Sequence, residues 1–251
     1  MARPNLYRLV ALLATSAVVA MYAAVPAETT NVQIFGTTIS LPDPPGLVPL
    51  INKDSHYYKF GERLQAANHN VLLADFLPAK EAAIADIDQL PSPTYWAIAY
   101  GLGSMMSRSV TAAQFKDQIL PEMEKAVATA ARDPELLKRL GEGTDSSVAQ
   151  LGKDMKIEPG RLRMGEIEPL GIFTKRDNYA IYGAATRIRI ERADTVLEAP
   201  VVTVIGFLSV KERLFCIALY SLYRDEKDLD KAKQDSAAWA EAITRANVTP
   251  Q

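Results

Sequence analysis

Two histidines, one cysteine and a scatter of acids are the residues best able to carry chemistry in this chain. His56 lies in DSHYYKF and His69 in ANHNVLL, with no HxxxH or HxH pair. A metal site built on them needs a further ligand such as Asp43, Asp54 or Asp75, which spacing alone does not supply. A Ser-His-Asp triad has no GxSxG segment to anchor it. Cys216 sits between Phe215 and Ile217, with Leu219 nearby. Such apolar surroundings raise a thiol pKa and make it inert, so Cys216 reads as a packing residue. Gly101 and Gly103 form a GxG, but Met106 stands where a dinucleotide fingerprint needs its third glycine. No P-loop sequence is present, and no cofactor is expected. Tyr95, Trp96 and Tyr100, in TYWAIAYGLG, are the aromatic residues suited to line an apolar ligand pocket. Asp225, Glu226 and Asp228 suit the positive end of a helix dipole, and EF-hand spacing is absent.

The elements that must position these residues follow from periodicity. NVQIFGTTISLP alternates, with Val32 and Ile34 before a Gly36-Thr37 turn and Ile39 and Leu41 after it, which predicts a short hairpin. PDPPG at 42–46 breaks regular structure. Asp54 or Ser55 caps a helix to about Ala67, with Tyr57, Tyr58, Phe60 and Leu64 as its apolar content. NVLLADFLP reads as a core strand stopped by Pro78, AKEAAIADIDQL as a weak helix, and TYWAIAYGLG as a second strand. A helical block spans 109–157. It opens on a Thr111–Gln114 capping box, continues through Phe115, Ile119, Met123 and Val127, and meets Pro121, which kinks or divides it. Asp133-Pro134 restarts a helix that Gly141 closes, and residues from Ser146 to Asp154 add a turn or two.

From Glu166 the period becomes two, with strands expected at about 166–174, 179–191, 200–210 and 213–223. Ile188 and Ile190 alternate with Arg187, Arg189 and Glu191, the pattern of a half-exposed strand with a solvated face rather than an anion-binding strip. Residues 202–223 are strongly apolar, but Lys211, Glu212 and Arg213 interrupt them where a membrane span tolerates charge least. Each half has the length of a strand, so a core hairpin is expected. The last helix runs from Asp225 to about Ala246, with Leu229, Ala232, Ser236, Trp239 and Ile243 on its packing face. The fold class is therefore α+β, an antiparallel sheet covered by helices as an α/β/α sandwich, with the helical insertion at 109–157.

The N-terminus carries an address. Arg3 and Arg8 precede an apolar run to Ala24, and Val25-Pro26-Ala27 gives a small-x-small site, the layout of a secretory signal peptide over residues 1–27. The alternative is an uncleaved helix anchoring the chain to the inner membrane, since the uncharged run is long enough. Residues 28–251 then form a single domain with no transmembrane span, placed in the periplasm of a Gram-negative bacterium. The whole chain has 251 residues, 48% of them hydrophobic, and a formal net charge of −2. That composition excludes widespread disorder and offers no bulk electrostatic case for nucleic acid. A lone cysteine allows no internal disulfide, so burial must stabilise the fold.

The ending RLFCIALYSLYRDEKDLDKAKQDSAAWAEAITRAN closes on W-x-x-x-I-x-x-A-N, here Trp239, Ile243, Ala246 and Asn247. With IFGTTISLPDPPGL near the start, it resembles exported bacterial proteins of unknown function. Their plan is similar to that of PsbP-like domains, the family of the extrinsic photosystem II subunit and the Ran-binding Mog proteins. The resemblance covers about 30–41 and 166–247 and transfers no functional residue. It implies an α/β/α sandwich that binds or assembles rather than catalyses. The leading expectation is a non-enzymatic binding or assembly module with a protein partner in the cell envelope. One alternative is an envelope hydrolase or metal-dependent enzyme using His56, His69 and nearby acids. Another is a small-ligand binder with its pocket between the sheet and the helical block.

Overall fold

Alternation near the start becomes a hairpin of Thr29–Ile34 (β1) and Thr37–Pro42 (β2), a two-stranded sheet of its own. The computed structural model describes residues 29–130, 134–156, 161–192 and 195–248. The expected signal peptide and the Asp133 helix start lie outside them. Ile34 pairs with Thr37, so the turn is Phe35-Gly36, one residue earlier than expected. Both turn residues have positive φ, 45° and 80°. A two-residue turn of the I′ type demands that, and Gly36 is placed to satisfy it at its second position. Val32, Ile34, Ile39 and Leu41 are all buried.

The main sheet has eight strands: Val48–Pro49 (β3), Asn70–Leu77 (β4), Tyr95–Leu102 (β5), Arg161–Met164 (β6), Glu168–Lys175 (β7), Tyr179–Arg192 (β8), Thr195–Val210 (β9) and Arg213–Leu222 (β10). Their order is β3-β4-β5-β10-β9-β8-β6, every pair antiparallel, with β7 sharing the free side of β8. β6 was not expected, and β9 starts earlier than residue 200, carrying Pro200 within it. Residues 202–223 form the β9–β10 hairpin, turning at Lys211-Glu212. Among the described residues no helix is long and apolar enough to cross a membrane.

The helices are His56–Ala67 (α1), Ala79–Asp86 (α2), Ala112–Gln114 (α3), Leu120–Ala130 (α4), Pro134–Met155 (α5) and Glu226–Ala246 (α6), with a π-helical segment, Phe115–Ile119, joining α3 to α4. Ser55 caps α1 by accepting from the Tyr58 N–H, and the Thr111–Gln114 capping box is formed. Pro121 neither ends nor divides the helix after α3. The wider π turn just before it absorbs the missing N–H and the ring. The expected stop at Gly141 does not occur, and α5 continues to Met155. Packing overrides glycine's low propensity there. Arg63 of α1 pairs with Asp154 of α5 at 3.0 Å. A Cβ at Gly143 would stand 2.9 Å from that of Ala67, so the two helices meet at a glycine.

One sheet face is covered by α6 and the β1–β2 hairpin, whose core joins Ile34, Leu41, Phe76, Val204, Phe215 and Trp239. The other face carries α1, α2 and the helices of the insertion, with Tyr58, Leu77 and Ala85 packed near β3 and Phe115 and Leu120 packed near Phe207. This is the α/β/α sandwich of the α+β class.

Candidate functional site

β4 is where the site begins. Strict alternation after Leu72 would send Asp75 toward α6 and Phe76 toward α1. A bulge between Leu72 and Ala74 reverses this. Leu73 and Ala74 both join the core under α6. Asp75 then turns to the opposite face, while Phe76 packs edge-on against Trp239 with ring centroids 5.3 Å apart.

On that opposite face a cavity of about 360 Å³ lies between the sheet and α1, within the range of small-molecule sites. Its floor is Leu72 and Asp75 of β4, Trp96 and Ile98 of β5 and Tyr220 of β10, continued by Val201 and Thr203 of β9 and by Thr186 and Ile188 of β8. Its roof is Tyr57, Phe60, Gly61 and Leu64 of α1, with Thr144 of α5 at the side. Trp96 and Tyr220 are directly paired across β5 and β10, and their rings stack at 4.9 Å with 9° between planes. A Cβ at Gly61 would meet Asp75 Oδ2 and Leu72 Cδ2 at 3.3 Å, tighter than ordinary contact, so α1 approaches the cavity floor closely there.

Asp75 is 4% exposed, and its Oδ1 has no hydrogen-bond partner. Burial pushes its carboxyl up to about 7, against a smaller lowering by the Phe76 N–H. Burial, then Asp75 and Glu81, holds Tyr57 well above the ordinary phenol range, and burial, then Glu62 and Asp75, pushes Tyr58 up to about 12. Tyr220 is raised as well, by burial and then by Asp75. Among the described residues, none that lines the cavity is Lys, Arg, His or Cys. The described lining is therefore apolar and aromatic, with one carboxyl and no basic side chain.

The aromatic trio suggested by sequence is divided by the pleat. Trp96 lines the cavity. Tyr95, its neighbour in the strand, faces α6, where its hydroxyl donates to Asp235 and Lys231 lies over its ring at 4.5 Å. Tyr100 is on the cavity's side of the sheet but packs farther along, beside its cross-strand partner Cys216. Cys216 is fully buried, and burial raises its thiol.

The histidines are not brought together. His56 opens α1 and His69 follows its end, about 18 Å apart by the rise of a twelve-residue helix. His56 Nδ1 lies 2.6 Å from Asp88 Oδ2, and Asp88 also accepts from the His56 N–H, which holds that carboxyl below its usual range. His69 is exposed, with φ of 59°. Asp43 and Asp54 do not line the cavity. Among the described residues no group of three or more His, Cys, Asp or Glu is placed to hold a metal ion. Gly103 belongs to a turn whose N–H donates to the His69 carbonyl at 3.1 Å. Asp225 caps α6, and Asp228 pairs with Arg224 at 2.7 Å, so two of the three acids there serve the helix start. Arg187 and Arg189 are exposed and pair with Glu198 and Glu191.

The site residues missed from sequence are Tyr57, Phe60 and Tyr220 as pocket walls and Asp75 as the polar centre. No protein-family model matches the chain, and no curated protein matches it.

Proposed function

We propose that this protein is a non-enzymatic binding domain that holds a small, largely apolar molecule in the cavity beneath α1. The observation that carries this is the cavity itself, roofed by α1, walled by aromatics and containing one buried carboxyl with an unused acceptor. A general acid–base site needs groups in mutual hydrogen-bond reach. Asp75 has instead raised tyrosines around it and no hydrogen bond to them at Oδ1. The N-terminal address supports an exported, periplasmic setting. The resemblance to PsbP-like domains supports a binding role rather than a catalytic one.

The test is binding of N-phenyl-1-naphthylamine, a neutral apolar fluorophore. It gains intensity and shifts to the blue in the wild-type protein, and Thr203→Trp, which fills the cavity from the sheet side, abolishes the change while leaving the fold intact by circular dichroism. Native mass spectrometry of protein purified from its source shows a retained small molecule. Absence of both signals overturns the proposal.

A further inference from the structure

Resting on the reading of the cavity as a ligand site, we propose that its ligand is an organic cation: an ammonium-bearing molecule with a flat apolar body, its nitrogen held at the Asp75 carboxylate and its body laid against the Trp96–Tyr220 pair. A carboxylate taken out of water without a partner is among the most unfavourable groups a fold can contain. Asp75 is in that position, 4% exposed with Oδ1 unpartnered, and the residue lines a space that can hold a molecule. Among the described residues the lining offers no lysine, arginine or histidine, so the complementary charge is assigned to the ligand. The walls suit the same sign. Tyr57, Phe60, Trp96 and Tyr220 surround the chamber, and aromatic faces attract cations through their quadrupoles. An anion would meet the carboxylate with no compensating donor from a basic side chain.

The β4 bulge strengthens the inference. It departs from regular pairing, and its effect is to point the one acid of the strand into the apolar chamber rather than into the α6 core. Bulges commonly re-aim side chains at functional sites.

Three indoles with one body and different heads separate the possibilities: tryptamine, its alcohol tryptophol, and indole-3-acetate. Each is used to displace the neutral fluorophore from the intact protein. Tryptamine is expected to displace it at a concentration about tenfold or more below that of tryptophol, since a charged hydrogen bond replaces a neutral one. Indole-3-acetate is expected to be the weakest. Asp75→Asn loses the preference for tryptamine over tryptophol, read by direct calorimetric titration of each indole.

The preference also falls between about pH 8 and about pH 5, because a proton on Asp75 competes with the ammonium while the ammonium itself stays charged. The ionisable groups on which Asp75 acts are Tyr57 and Tyr58 of α1 and Tyr220 of β10, all raised, with Glu81 of α2 also acting on Tyr57 and Glu62 of α1 on Tyr58. If the fluorophore binds but tryptophol matches or exceeds tryptamine, or if Asp75→Asn keeps the preference, the organic-cation assignment is overturned while the cavity remains a ligand site. If the fluorophore itself does not bind, the site reading fails and takes this inference with it.

Discussion

Asp75 sets the pH behaviour that a single residue can impose on this fold. Its carboxyl stands at about 7 in the folded protein against an ordinary 3.8, and burial is the cause. The folded state therefore holds a proton that the unfolded chain releases between those values. Stability attributable to this group is complete below about pH 4 and is lost as pH rises through about 7. The deficit above that pH is on the order of 4 kcal/mol for a shift of about three units. Asp75→Asn, whose amide stays neutral, is expected to leave stability near pH 4 little changed and to raise it by a few kcal/mol near pH 8. Urea unfolding of the two proteins at both pH values measures it. An equal offset at both would show that Asp75 is not desolvated in the folded state. An amine bound in the cavity acts in the opposite direction, supplying the counter-charge the fold omits, so wild-type protein saturated with tryptamine recovers part of the deficit near pH 8.

Strand alternation decided which aromatics reach the cavity, and that much was legible. Tyr95 and Trp96 are consecutive in β5, so the pleat sends them to opposite faces, and only one of the two can line a given pocket. The bulge in β4 was not legible. NVLLADFL alternates poorly, and nothing in its residues marks Leu73 as the extra one, so the face of Asp75 followed only from pairing with β5. The course of α5 was illegible for a related reason. Its continuation beyond Gly141 depends on α1, sixty and more residues away in sequence, meeting it at Gly143 and Asp154. Turns carry a testable cost of their own. Lys211 and Glu212 join β9 to β10 with φ of 48° and 59°, a backbone shape that suits Asn-Gly and strains other residues. The double substitution Lys211→Asn with Glu212→Gly is expected to stabilise the protein by about 1 kcal/mol, despite losing the Lys211 contact to the Thr38 carbonyl and the hydrogen bond that the Ser109 hydroxyl donates to Glu212. Guanidinium unfolding reads the gain, and a loss of stability would mean that the side chains of this turn hold more than its backbone strains.

The described residues form two sheets that share the helix α6. β1 and β2 pair only with each other in the backbone ladder, so the hairpin depends for its place on α6, on apolar burial and on side-chain bonds from the β9–β10 turn, Lys211 to the Thr38 carbonyl and Arg213 to Thr37 Oγ1. The closing W-x-x-x-I-x-x-A-N pattern explains how. Trp239 Nε1 donates to the Pro42 carbonyl at 2.7 Å, and Ile243 is fully buried one turn on. Asn247, just past the end of the helix, accepts from the Ser40 N–H at 2.9 Å and donates to the Ser40 carbonyl at 2.7 Å, as a third strand would. Its amide also donates to the Ile243 carbonyl at 2.8 Å, which ties the clasp to the helix end. The residues that looked most like a family signature therefore fasten the hairpin over the sheet face opposite the cavity. Asn247→Ala removes both hydrogen bonds to Ser40 and should destabilise the protein by about 1–3 kcal/mol. The loss should also be local. Amide hydrogen exchange should quicken in residues 29–42 well before it does in β9 and β10, because the hairpin shares no ladder with the main sheet. Fluorophore binding in the cavity should be unchanged, since α1 and the cavity floor lie across the sheet from the clasp. If exchange rises evenly through all the described strands, the hairpin is part of one cooperative unit and the clasp is not what holds it. If cavity binding falls together with hairpin protection, the two faces of the sheet are coupled, and α6 would have to be counted among the elements that shape the site.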